Sequence, residues 1–95
     1  MDKAIAGQIA GLKEELIALR RDFHQHPELG FEEHRTAGVI ESYLQDLGLE
    51  PRRVAGTGVV ACLEGNGPGP VVMLRADMDA LPVTEANEVP YKSRN

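Results

Sequence analysis

The chain is poor in several residue types that mark large protein classes. It has one cysteine, Cys62, which excludes an internal disulfide and favours a reducing compartment. It has no tryptophan, and Phe and Tyr make up only 4% of it, so any core should be mainly aliphatic. No apolar run approaches the length of a membrane-spanning helix, and residues 1–4 are too polar for a signal peptide. We therefore expect a cytoplasmic protein without a membrane partner.

Basic residues are outnumbered by acidic ones, with 10 Lys and Arg against 15 Asp and Glu. The formal net charge of -5 offers no electrostatic attraction for nucleic acid or for an anionic membrane. Hydrophobic residues form 42% of the chain and charges of both signs are mixed among them, which indicates a soluble folded protein. The 95 residues are enough for one small domain.

Two helices are predicted in the first half. Apolar residues from Ile5 to Phe23 recur at alternating spacings of three and four, so they form one helical stripe. This helix should end near His26, because Pro27 disfavours helical geometry in the residue before it. A second helix is predicted from Glu33 to Leu47, with Gly48 as its C-terminal cap. Its inward-facing residues should be Val39, Ile40, Tyr43, Leu44 and Leu47.

The pattern then changes to strands. Arg52–Ala55 is a candidate short strand, and Gly58–Leu63 and Val71–Leu74 are apolar runs rich in β-formers. The loop at 64–70 between these runs predicts that they pair as an antiparallel hairpin. Helices followed by two or three strands predict an α/β fold. Two helices cover one face of a sheet at most, so we expect 1–95 to be the first part of a larger α/β domain.

Two carboxylates, Asp77 and Asp79, follow the predicted strand Val71–Leu74, and Pro82 comes soon after. In an extended strand both side chains point to the same face, at the strand end where α/β sheets bind ligands. Such a pair can hold a divalent cation, orient a metal-bound histidine or share a proton. Asp also caps backbone amides in turns, so a structural interpretation stays open.

A second polar cluster contains His24, His26 and Glu28. The His-x-His spacing occurs in metal sites, but residues i and i+2 of a helix point about 200° apart, so both rings could share an ion only past the helix end. The alternative is a helix terminus at which histidines hydrogen-bond the last carbonyls. This second interpretation is the one we favour.

The remaining features favour structural roles. Gly65–Gly69 lacks the Lys-Ser/Thr ending of a phosphate loop and the Rossmann glycine spacing, which leaves a hairpin loop. Arg52 and Arg53 are predicted to be a solvated pair, and Cys62 a buried small hydrophobe. The two serines lack the glycines of a nucleophile elbow.

Two segments resemble a known family. Phe23–Glu33 (Phe-His-Gln-His-Pro-Glu-Leu-Gly-Phe-Glu-Glu) with Arg35-Thr36, and Leu74–Pro82 (Leu-Arg-Ala-Asp-Met-Asp-Ala-Leu-Pro), resemble the N-terminal motifs of metal-dependent amidohydrolases. That branch includes hippurate hydrolase and N-acyl-amino-acid amidohydrolases, within the di-metal aminoacylase and carboxypeptidase superfamily. The two motifs occur in the family's order and spacing, and the resemblance covers the chain from about Leu12 onward.

The resemblance implies a fold and an activity for the whole enzyme. The fold would be a catalytic α/β domain with a central mixed sheet flanked by helices, of which 1–95 is the N-terminal part, and a smaller inserted domain that often mediates homodimerisation. The activity would be cleavage of the amide of N-acyl amino acids by a water activated by two divalent ions (zinc, manganese, cobalt or nickel). The 95-residue chain alone should bind no metal and be inactive.

The resemblance carries over to few residues of this chain. Asp79 matches the family's Asp that orients a metal ligand, so it is the one catalytic candidate. Asp77 stands where the wider superfamily has a ligand histidine, so the resemblance assigns it no ligand role. His24 and His26 belong to the motif but are not its metal ligands. The Cys-Gly-His ligand segment of this branch would follow Asn95.

Two rival functions remain open at this point. One is a small non-enzymatic module that binds a metal or a partner through His24, His26 and Glu28. The other is a related carboxypeptidase or diaminopimelate deacylase, with the same chemistry on another substrate.

Overall fold

A computed structural model describes residues 3–94 of the chain. Three helices precede two short strands: α1 Lys3–Gly11, α2 Lys13–Gln25, α3 His34–Asp46, β1 Arg52–Val54 and β2 Gly58–Val60. This composition of helices and an antiparallel pair confirms the α/β class. Among the described residues, no helix has the length and hydropathy needed to cross a bilayer.

The described residues divide into two compact units. The first contains residues up to Pro27 together with those from Val83 onward, and the second is Glu28–Pro82. The first unit therefore holds α1, α2 and the aperiodic segment 83–94. The second holds α3, the β1–β2 pair and the Asp77–Pro82 segment.

The predicted first helix is two helices, so the expectation of one continuous helix was wrong. The break lies at Leu12, whose amide bonds to the Ile9 carbonyl three residues back at 3.0 Å, a tighter turn than the α-helix has. Gly11 precedes the break, and glycine loses more backbone freedom in a helix than any other residue. The predicted end is confirmed: α2 stops at Gln25, with His26 as its cap.

Helix α3 ends as its sequence predicts. Gly48 has a φ of +89°, and its amide bonds to the Gln45 carbonyl while the Leu49 amide bonds to the Leu44 carbonyl. This pair of bonds is a Schellman motif, which needs a left-handed residue that glycine adopts without a Cβ clash. Four of the five predicted inward-facing residues are half-buried. Leu47 is the exception, since it is 63% exposed at the helix end.

Strands β1 and β2 form an antiparallel hairpin with Arg52 opposite Val60 and Val54 opposite Gly58. The three-residue turn between them contains Gly56 at a φ of +85°. A Cβ at Gly58 would lie 2.7 Å from the Val54 carbonyl oxygen, so this pairing requires glycine there.

The predicted hairpin of Gly58–Leu63 with Val71–Leu74 is therefore wrong. Within residues 3–94, β2 pairs with β1 instead, and no strand covers Val71–Leu74, whose side chains are 81% to 93% exposed. An apolar run becomes a strand only when a neighbouring backbone accepts its hydrogen bonds, and no described segment does so here. Cys62 was expected to be buried, but it is exposed because β2 ends before it at Val60.

The most buried side chains lie around the start of α3. Ala37 is fully buried, and Glu33, Thr36 and Thr57 are each no more than 7% exposed. No buried side-chain nitrogen or oxygen among the described residues lacks a hydrogen-bond partner. Arg52 and Arg53 were predicted to be a solvated pair, and this holds only in part. The Arg53 Nε forms an ion pair with Glu41, 3.1 Å from a carboxylate oxygen.

Candidate functional site

A concave surface in the Glu28–Pro82 unit contains the two predicted carboxylates. Its volume is about 330 Å³, and it is lined by the Gly30–Phe31 turn, the β1–β2 turn and residues 76–79. The structure thus brings Asp77 and Asp79 to one cleft. Phe31 stands at its edge with a φ of +67° and 82% exposure.

The two aspartates differ in their surroundings. An Asp77 oxygen lies 3.1 Å from an Arg75 guanidinium nitrogen, in a pair that is exposed on both sides. Asp79 lies beside Gly30, where a Cβ would be 3.8 Å from the Asp79 Oδ2. Exposed ion pairs of the Asp77 kind contribute little to stability.

Two of the residues that line the cleft, Glu33 and Thr57, form a buried hydrogen bond. The Thr57 hydroxyl donates to a Glu33 carboxylate oxygen at 2.9 Å, and the Glu32 amide donates to the other oxygen at 3.1 Å. Glu33 is 7% exposed and Thr57 3% exposed. The pair joins the start of α3 to the turn of the hairpin.

Glu28 caps α3 from outside the helix. Its two carboxylate oxygens accept the amides of Arg35 at 3.0 Å and Thr36 at 2.6 Å, which are among the helix's first unpaired donors. Burial alone would raise the pKa of Glu28, but the hydrogen bonds from Thr36 and Arg35 outweigh it and hold the pKa below 4.5. Its backbone carbonyl accepts the Ala80 amide at 2.8 Å.

His24 binds the segment 83–94 rather than a second histidine. Its Nε2 lies 2.6 and 2.9 Å from the two Glu85 carboxylate oxygens, and the Ser93 amide donates to the same carboxylate at 3.0 Å. The Ser93 bond first, and the His24 bond second, lower the pKa of Glu85. The Tyr91 ring packs edge-on against His24, with the Arg21 guanidinium 4.4 Å from the ring centre.

His26 behaves as a helix-terminal histidine. Its Nδ1 lies 3.0 Å from the Asp22 carbonyl oxygen, in the last turn of α2. His24, His26 and Glu28 therefore each have a separate partner, which opposes a metal module built from this cluster. Across residues 3–94, no group of three or more His, Cys, Asp or Glu side chains is placed to hold a metal ion.

Two of the contacts made by His24 could not be predicted from sequence patterns. Glu85 and Tyr91 lie in a polar segment without periodicity, and they reach α2 across more than sixty residues of chain. The Glu33–Thr57 bond could not be predicted either, because a carboxylate at the start of a helix is usually exposed to solvent.

No protein-family model matches the chain, but its sequence is similar to that of proteins named as hydrolases. It is 48% identical to YhaA of Bacillus subtilis, which is named as an amidohydrolase, over 99% of this chain and 24% of YhaA. It is also 48% identical to the N-acyl-L-amino acid amidohydrolase of Geobacillus stearothermophilus, over 88% of this chain and 23% of that enzyme. The chain is homologous to amidohydrolases. The motif-based resemblance is thereby confirmed.

A solved structure extends this relationship to the fold. The chain matches the Bacillus subtilis YXEP protein, described as a dinuclear metal-binding peptidase of the M20 family, with a TM-score of 0.84 and 40% identity. The match covers 90% of this chain and 25% of YXEP. The chain thus spans about a quarter of the length of each of these three relatives.

One further relative has a different name. A Rhodococcus jostii protein named as glutamate–cysteine ligase 2-3 is 48% identical over 86% of this chain, but the match covers 10% of that protein. So small a share carries no argument about ligase chemistry.

Proposed function

We propose that the full-length protein hydrolyses the amide bond of N-acyl amino acids or similar conjugates. Water adds to the carbonyl carbon, the carbon–nitrogen bond breaks, and the products are a carboxylate and an amino acid. The observation that carries this proposal is the 48% identity to an enzyme named as an N-acyl-L-amino acid amidohydrolase, over 88% of this chain. The charge of -5 gives no support to a nucleic acid partner.

The contribution of this chain would be one wall of the active site, within a partial catalytic domain that spans 1–95. Asp79 is the proposed functional residue: its carboxylate would accept a hydrogen bond from a ligand supplied by the rest of the protein and so fix that ligand's orientation. Support comes from its position in the cleft, next to the Gly30–Phe31 turn. Asp77, which is paired with Arg75, would have a structural role.

A divalent metal pair, of zinc, manganese, cobalt or nickel, is part of the proposal because the M20 neighbour is described as dinuclear. Bound metal would polarise the amide carbonyl and lower the pKa of water. The residues in 3–94 do not fit such a pair by themselves, since none of their His, Cys, Asp and Glu side chains form a cluster of three. We therefore propose that the ligands lie elsewhere in the full-length protein.

The activity can be tested with the full-length protein and hippurate or N-acetyl amino acids. We expect hydrolysis that is lost with a chelator and restored by one of the four metals. Asp79→Asn should lower kcat/KM by about 10- to 100-fold, as for other residues that orient metal ligands, whereas the control Asp77→Asn should stay close to wild type. Absence of hydrolysis after metal loading would contradict the proposal.

A peptidase is the second candidate, because the YXEP structure is described as a peptidase. The same metal-loaded protein should be offered dipeptides and N-acyl amino acids side by side. A higher kcat/KM for dipeptides would favour the peptidase.

Assembly and location complete the proposal. We propose a homodimer in the cytoplasm. Light scattering of the full-length protein should give twice the monomer mass, and cell fractionation should place it with cytoplasmic markers.

A further inference from the structure

Glu28 connects two parts of the Glu28–Pro82 unit through two different groups. Its carboxylate accepts the Arg35 and Thr36 amides at the start of α3. Its backbone carbonyl accepts the Ala80 amide at 2.8 Å. One residue therefore contacts both the helix and the segment that carries the two aspartates.

In the contact with α3, the acceptor group of Glu28 is charged. The pKa of Glu28 lies below its usual value even though burial acts to raise it, so the side chain is a carboxylate at neutral pH. A carboxylate that accepts two backbone amides is held more firmly than a neutral acceptor, because charge-assisted hydrogen bonds are the stronger class. The positive end of the α3 dipole adds to this attraction.

The second contact acts directly beside Asp79. Ala80 is the next residue, and the peptide group that joins Asp79 to Ala80 supplies the amide that Glu28 accepts. A peptide group is planar, so fixing its N–H also fixes the carbonyl side that belongs to Asp79. Asp79 otherwise lies in a segment without helix or strand bonds, and its neighbour Asp77 is exposed.

We propose that Glu28 is a positioning residue for Asp79. The Glu28 carboxylate anchors Glu28 to the start of α3, and the Glu28 backbone carbonyl holds the Asp79–Ala80 peptide group in place. This inference rests on the proposed function for the role of Asp79 in catalysis. Glu28 itself touches neither substrate nor reacting atoms. The presence of Glu28 in the 23–33 motif is thus explained by its positioning of Asp79 rather than by metal binding.

The test compares Glu28→Ala and Glu28→Gln with Gly48→Ala in the full-length protein. Gly48→Ala strains the left-handed cap at the other end of α3 and leaves every Glu28 contact in place. It therefore controls for simple loss of α3 stability. The readouts are the amide exchange rate of Ala80, the backbone chemical shifts of Asp79, and kcat and KM for hippurate.

In Glu28→Ala we expect Ala80 exchange to rise by about tenfold or more over the control, as when a hydrogen bond that protects an amide is weakened. The Asp79 shifts should move, and kcat should fall by about tenfold while KM changes less than about twofold. Glu28→Gln keeps one acceptor oxygen, so it should lie between wild type and Glu28→Ala. If Glu28→Ala does not fold, Glu28→Gln decides alone.

Ala80 exchange and Asp79 shifts that match the Gly48→Ala control would overturn the inference, whatever the activity. So would an unchanged kcat in an active enzyme whose Asp79 shifts have moved. A wild-type protein without hydrolysis would instead contradict the proposed function, and the exchange and shift measurements would still test the Glu28 contact.

Discussion

At the scale of single residues, the polar side chains do more to define this fold than the apolar ones. Glu33, Thr36 and Thr57 are each at most 7% exposed, whereas many large apolar side chains face solvent. A buried polar group destabilises a fold unless it is hydrogen-bonded, so such residues define specific contacts. The Glu33–Thr57 bond is the contact that joins α3 to the hairpin turn.

We expect Thr57→Val to lower the free energy of unfolding by about 1 to 3 kcal/mol, because a buried carboxylate oxygen of Glu33 loses its hydroxyl donor. The valine has nearly the same shape, so packing changes little. The measurement is urea denaturation followed by circular dichroism. Thr84→Val, at an exposed position, is the control and should change stability by less than about 0.5 kcal/mol. Equal effects of the two substitutions would show that the Glu33 contact does not stabilise the fold.

At the scale of elements, local chemistry could be predicted from sequence and long-range pairing could not. Pro27 and Gly48 mark the helix ends correctly, because each acts on the backbone within a few residues. The Leu12 break was missed, since the apolar spacing continues across it. The strand at Val71–Leu74 was overpredicted, because apolar composition does not supply a neighbouring strand.

The Leu12 break predicts a response to one substitution. Gly11→Ala should raise helicity and stabilise the first unit by about 0.5 to 1 kcal/mol, because alanine is the best helix former. Apart from the chain neighbours and the backbone of its own helix, no described atom lies within 4 Å of the added Cβ. Far-UV circular dichroism and thermal unfolding measure both effects. Gly65→Ala, in a loop with equal space for a Cβ, is the control. A loss of helicity in Gly11→Ala would mean that the break is required.

The capping of α3 predicts a dependence on pH. The folded-state pKa of Glu28 lies below its ordinary value of 4.5, so its contribution to stability is present above that value and is lost as pH falls through the folded pKa. The melting temperature should therefore decrease as the pH is lowered from about 4.5, and it should decrease less steeply in Glu28→Gln. Thermal melts from about pH 7 to pH 3 measure this. Glu50→Gln controls for the loss of one negative charge, and identical acid limbs in wild type and Glu28→Gln would contradict the prediction.

At the scale of the whole molecule, the described residues leave much apolar surface uncovered. Val71–Leu74 and Leu63 are all more than 80% exposed, and Ile5, Ile9 and Leu16 on the helices are about half exposed. Soluble proteins rarely expose contiguous apolar runs of this kind without a partner surface. The chain spans about a quarter of its amidohydrolase relatives, and the exposed run is continuous with the segment that carries Asp79.

The isolated 95-residue chain should therefore self-associate and bind hydrophobic dyes. We expect the double substitution Val72→Lys and Leu74→Lys to lower dye fluorescence by more than about half and to shift the chain toward monomer, because two charges interrupt the apolar run. Dye titration and size-exclusion chromatography with light scattering are the measurements. Thr84→Lys with Asn87→Lys adds the same charge at exposed positions outside the run and should leave dye binding unchanged. A monomeric wild-type chain that binds no dye would show that Val71–Leu74 is covered in solution.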